Sequence, residues 1–172
     1  MKTFSLAILL LILICTPAMA KSYWTINGIP LSEFQDITWK KAGALGAGAV
    51  ISALTHATSH ILYLEILGRS WHIDGLMEVC DGRLSDSQAA MFGRAGFIGA
   101  LSVGTLGKIF GKKKSYFWTG FHFMTFIETS TYPIRWKDEG DLELIDRSSN
   151  SEIEWAIYTT WSSILLDLHK QK

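Results

Sequence analysis

At 172 residues and 19.2 kDa the chain is long enough for one domain and too short for two comfortable ones. Lysine plus arginine balance aspartate plus glutamate at 16 each, so no basic excess points to nucleic acid. Hydrophobic residues make up 48%, and mean hydropathy is positive, which fits a small membrane protein better than a soluble domain with a charged surface.

The first stretch, MKTFSLAILLLILICTPAMA, reads as a secretory signal peptide over residues 1–20. Lys2 supplies the positive start, Phe4 to Ile14 the apolar core, and Ala18-Met19-Ala20 the small-x-small cleavage site. The same residues also read as a retained anchor, and the following segment is exported either way. Ile14 stands where a lipoprotein signal requires a small residue before its cysteine, which argues against Cys15 as a lipid attachment site. With the signal removed only Cys80 remains, so no internal disulfide can form.

Residues 21–172 then form a single helical membrane domain. Residues 21–37 are polar and aromatic, with turn signals at Asn27-Gly28 and Pro30. The first predicted span covers 42–67, whose formal charge is Glu65 alone, between Lys40-Lys41 and Arg69. A polar connector over 68–88 follows, and its 85-SDSQ-88 reads as a helix start. The second span, 89–111, carries Arg94 and a run of glycines; Gly96, Ala100 and Gly104 recur every four residues and let a neighbouring backbone approach. Lys112 to Lys114 read as a solvated or headgroup-contacting turn before a third span over 116–134. After a polar tail, 151–169 reads as an amphipathic helix opened by a Ser151 to Glu154 capping box, with Ile153, Ile157, Trp161, Ile164, Leu165 and Leu168 as its apolar stripe. The fold class is therefore all-α: a polytopic helical membrane protein with three spanning helices and a C-terminal amphipathic helix. An exported N-terminus places 68–88 inside and Lys112 to Lys114 outside.

Ionisable groups inside spans are costly, which makes each one a functional candidate. On a helix, Ser52, His56, Ser59, His60 and Tyr63 fall near one line and Glu65 on the opposite side, so the polar stripe faces the bundle interior. Counting back from the span ends puts Glu128 level with His60, and His122 level with His56. Two histidines and a carboxylate from another helix make a common catalytic zinc set, with water in the fourth position. The predicted divalent-metal site is thus His56, His60 and Glu128, with His122 as an outer partner or alternative ligand and zinc as the ion. Arg94 also stands at a depth where it could pair with Glu128 instead.

The run 56-HATSHILYLEILGR-69 resembles the zinc-binding helix of site-two-protease-type intramembrane metalloproteases, whose pattern is His-Glu-x-x-His, a short apolar stretch, then Leu-Gly. His56 and His60 match the ligand pair, and Leu67-Gly68 the downstream pair. The resemblance implies an intramembrane zinc site and a metal-dependent membrane hydrolase or a degenerate relative of one. Ala57 stands where the family carries its general base, and no Asn-Pro…Asp-Gly segment supplies the family's third ligand; Asp141 and Asp146 are acidic but lie in no such motif. Two other readings of the residues stay open: histidines that pack helices through hydrogen bonds to Ser52, Ser59 or Thr125, and haem held between the pair and His122. On the packing reading the protein is not an enzyme. Its partners are then the lipid bilayer and, through small-residue faces, another membrane protein or a second copy.

Overall fold

The computed structural model describes residues 24–74, 77–135 and 141–170, and the signal peptide expected at 1–20 lies outside them. The first element is a hairpin of β1 (Trp24–Ile26) and β2 (Ile29–Pro30), with Ile26 opposite Ile29. Its two-residue turn is the predicted Asn27-Gly28 pair, with φ of 50° and 74°, the left-handed geometry that matches strand twist. A 3-10 turn over Leu31–Phe34 leads to α1 (Trp39–Ile66), whose cap is Thr38: its hydroxyl accepts from the Lys41 amide at 3.4 Å. Gly68, at φ +63°, turns the chain after α1.

The 68–88 connector holds a second hairpin, β3 (Trp71–Asp74) against β4 (Met77–Cys80), with Trp71 opposite Cys80. α2 (Asp86–Phe110) starts where the sequence indicates, in a reciprocal capping box: Ser85 Oγ accepts from the Gln88 amide, and Gln88 Oε1 from the Ser85 amide. α3 (Tyr116–Arg135), the short α4 (Asp141–Asp146) and α5 (Ser151–Leu166) complete the helices. The α5 cap is Asn150 rather than the expected Ser151, and the helix ends three residues early because Asp167 takes a left-handed φ of 52°. The final strand, β5 (Leu168–Lys170), then pairs with β1, placing Leu168 opposite Ile26. The all-α expectation is corrected accordingly: the protein is mostly helical, with two small sheets at opposite ends of a helical bundle.

Contacts along the long helices fix their directions. Ser52 meets Thr125 and Leu45 meets Gly120, so α1 and α3 run parallel; His60 meets Phe92 and Ser59 meets Gly99, so α2 runs against them. Arg94 meets Glu154 and Thr105 meets Trp161, so α5 runs with α2. Glycines set the spacing, since a Cβ at Gly48 would collide with the Phe117 carbonyl and one at Gly120 with that of Leu45. Phe97, Leu101, Tyr132, Ile145, Tyr158 and Leu165 form the main apolar core.

The distribution of polarity is partly inverted. Ser52, Thr119, Thr125, Thr129 and Ser162 are buried, and four of them bond across helices: Ser52 to Thr125 at 2.8 Å, Thr129 to Ser162 at 2.7 Å. Outward, Ile66 is 73% exposed, Phe110 80% and Ile164 66%. Among the described residues α1 and α2 are long and apolar enough to cross a membrane. The expected third span, 116–134, forms a helix but does not meet that measure, because its inward side carries His122, Thr125, Glu128 and Thr129.

Candidate metal centre

His56 and His60 sit on one side of α1, as the polar stripe predicts, while Glu65 points away to accept a hydrogen bond from the Trp71 indole at 2.6 Å. His60 is 3% exposed, and its Nδ1 lies 2.7 Å from the Phe92 carbonyl oxygen. A carbonyl only accepts, so Nδ1 carries the proton and donates it there. A neutral His60 therefore presents a bare Nε2 lone pair to the site, the arrangement that orients metal-ligating histidines elsewhere.

The third member is Asp141, at the start of α4. Its Oδ2 lies 3.0 Å from His56 Nε2 and 3.4 Å from His60 Nε2. The aspartate is positioned twice through its backbone. Its amide donates to the Tyr132 hydroxyl at 2.8 Å, and its carbonyl rests over Gly93, where a Cβ would stand 2.5 Å away. Gly96 forms the floor beneath the rings, since a Cβ there would collide with Nε2 of both histidines. Phe97 meets the His56 ring edge-on with centroids 5.2 Å apart. Burial pushes the Asp141 carboxyl up, but the positive charge that His60 and His56 can carry, with the hydrogen bond from His56, outweighs it and holds the group well below the usual carboxylate range.

One potential ligand atom from each residue lies within 4.8 Å of the others. In a tetrahedral zinc site with bonds of 2.0–2.2 Å, ligand atoms are about 3.3 Å apart. The 3.0 and 3.4 Å separations to Asp141 bracket that value, so His56, His60 and Asp141 are close enough to hold a metal ion.

The other residues of the ligand set expected from the sequence lie outside this group. Glu128 is not part of the compact group; it acts on His56 electrostatically, as does Glu78 of β4. His122 lies elsewhere. Its Nε2–H donates to the Gly104 carbonyl at 2.9 Å and its Nδ1 accepts from the Asn27 amide at 2.9 Å, which leaves no lone pair for a metal or a haem. The Ser52–Thr125 contact explains the displacement. It sets Glu128 nearly level with His56 and puts His122 about 10 Å along the bundle axis from it, whereas counting from the span ends makes them level. Arg94 pairs with Glu154, not Glu128, through two bonds of 2.9 and 2.7 Å. Asp141 was legible only as an acidic residue beyond the third helix, with no motif to select it.

No protein-family model matches the chain, and no curated protein and no solved structure matches it. Fold and site define a mostly helical protein with two helices of spanning length and a His-His-Asp group compatible with metal binding.

Proposed function

We propose that this is a small integral membrane protein, its N-terminal side exported and α1, α2 and α3 crossing the bilayer, in which His56, His60 and Asp141 bind zinc. The carrying observation is the meeting of His60 Nε2 with Asp141 Oδ2 at 3.4 Å while His60 Nδ1 donates to Phe92. With His60 neutral, two lone pairs face each other there, and a cation between them makes that contact favourable. Two imidazoles and one carboxylate suit zinc and leave a fourth position for water, whose pKa such an ion lowers to about 7. Metal-assisted hydrolysis is the corresponding reaction class, in keeping with the resemblance of the α1 run to intramembrane metalloproteases. Asp141 then supplies the acidic ligand for which that resemblance gives no motif. Ala57 cannot take a proton, so Glu128, on the helix beside His56, is the proposed acceptor for the proton of the bound water.

A second reading has an observation of its own. The 3.0 Å approach of His56 to Asp141 is also that of an imidazolium–carboxylate pair, with a proton as the cation and a purely structural role in tying α4 to α1. In that case the protein works through packing with a partner or a second copy. Elemental analysis of detergent-purified protein separates the two. The metal reading expects one zinc per chain, lost in His56→Ala plus His60→Ala and in Asp141→Ala, and kept in Glu128→Gln. Wild-type protein without stoichiometric metal rejects it.

A further inference from the structure

The far end of the bundle holds a cavity edged by charged side chains, remote from the histidine pair by about 20 Å of α2. It encloses about 330 Å³ between the last turn of α2, the start of α3 and the β1–β2 turn. Four lysines line it. Lys108 is neutralised within the protein, since its ammonium donates to Asn27 Oδ1 at 2.9 Å and to Asp167 Oδ2 at 2.8 Å. Lys112, Lys113 and Lys114 have no carboxylate within 4.0 Å among the described residues, so they leave a concentrated positive charge over the opening.

Two further features give this charge a shape. Trp118 forms one wall, its indole lying against Gly107 and Gly111, where any Cβ would collide with it. Lys114 adopts a left-handed φ of 58°, and its stem lies beside Gly28 of the β1–β2 turn. The same two turns of α2 that line the cavity with Gly107 and Lys108 present Leu106, Ile109 and Phe110 outward, all exposed. A free anion has no use for that apolar margin, whereas a molecule with a phosphate and acyl chains uses both.

We propose that this cavity binds the phosphate headgroup of an anionic phospholipid, with Lys112, Lys113 and Lys114 around the phosphate and Leu106, Ile109 and Phe110 against its chains. Lipid as the source of the phosphate rests on the membrane placement proposed above. Native mass spectrometry of the full chain in detergent tests it, with phosphatidylglycerol, phosphatidylcholine and inorganic phosphate as separate probes. Wild-type protein is expected to retain one phosphatidylglycerol about tenfold or more over phosphatidylcholine. Lys112→Ala with Lys113→Ala and Lys114→Ala should abolish that preference, while Lys40→Ala, an exposed lysine outside the cavity, should leave it intact.

Equal retention of the two lipids, or a triple variant that still prefers phosphatidylglycerol, overturns the site. Displacement of the lipid by millimolar inorganic phosphate overturns the lipid assignment in favour of a free anion. Alkaline carbonate extraction keeps the two proposals apart: a protein that stays with membranes yet shows no lipid preference loses only this site. A protein that washes off loses the membrane placement and the lipid with it.

Discussion

Gly96→Ala is the sharpest perturbation of the proposed metal centre, because it adds one methyl group at the point where both imidazoles converge. That methyl would collide with Nε2 of His56 and of His60, and reaching van der Waals separation requires the rings to retreat on the order of 1 Å. Metal sites tolerate about 0.2 Å in ligand distance, so the displacement is several times what zinc accommodates. The stability cost is smaller. Overpacking costs about 1–3 kcal/mol, against which replacing a mid-helix glycine by alanine returns about 1 kcal/mol, and the obstructing atoms are the tips of side chains. The variant should therefore fold, with a thermal midpoint near wild type when both are stripped of metal, and lose its zinc. Gly46→Ala is the control: its new Cβ meets nothing within 4 Å, so the helix gains a methyl group and the ligand set is left alone. The assay is metal content by mass spectrometry together with thermal unfolding before and after chelation. Gly96→Ala protein that retains a full equivalent of zinc refutes the placement of the ion between these rings.

The Arg94–Glu154 pair predicts a distinct acid profile. Arg94 holds the Glu154 carboxyl at about 2, against an ordinary 4.5, with burial opposing and Ser149 and Tyr158 assisting. A depressed carboxyl stabilises the fold at pH above its ordinary value and loses that contribution as pH falls toward the folded one. Glu154→Gln should thus be less stable than wild type by about 2 kcal/mol at neutral pH, with the difference shrinking between pH 4.5 and 2 in parallel thermal melts; a gap independent of pH would contradict it. His122→Ala should keep the metal yet destabilise by about 1–3 kcal/mol, since the Gly104 carbonyl and the Asn27 amide lose their partner; loss of zinc in that variant would return His122 to the site. With 68–88 inside, Cys80, the one free thiol described, should resist a membrane-impermeant maleimide in intact cells and react after permeabilisation; labelling without permeabilisation reverses the orientation.

Local signals were readable where one stretch of chain carries its own instruction. Ser85 with Gln88 specified a helix start and Asn27 with Gly28 a tight turn, because each motif satisfies its own backbone donors within a few residues. The inward direction of Ser52, His56 and His60 was legible for a similar reason, being fixed by helical phase alone. The third ligand was not. Asp141 reaches His56 from 85 residues away, a pairing that no periodicity encodes. Depth counting chose Glu128 in its place because it assumed that α1 and α3 end level. The strand β5 escaped notice too, since three residues are too few to alternate and its partner lies near the other end of the chain.

The apolar stripe on α5 turns mostly outward. Of its residues Leu165 is buried, but Ile153, Ile157 and Ile164 face out, while Tyr158 and Ser162 turn in, the first to Glu154 and the second to Thr129. In water the apolar side of a helix seeks the core, and hydropathy selects the buried face. Where the surroundings are themselves apolar that drive vanishes, and hydrogen bonding between helices decides which side turns inward. On the proposed bilayer placement, the inward polar and outward apolar residues of α1 and α5 follow the second rule. On that placement, the same preference that turns the isoleucines outward turns His56 and His60 toward Asp141, and the two outcomes have one physical cause.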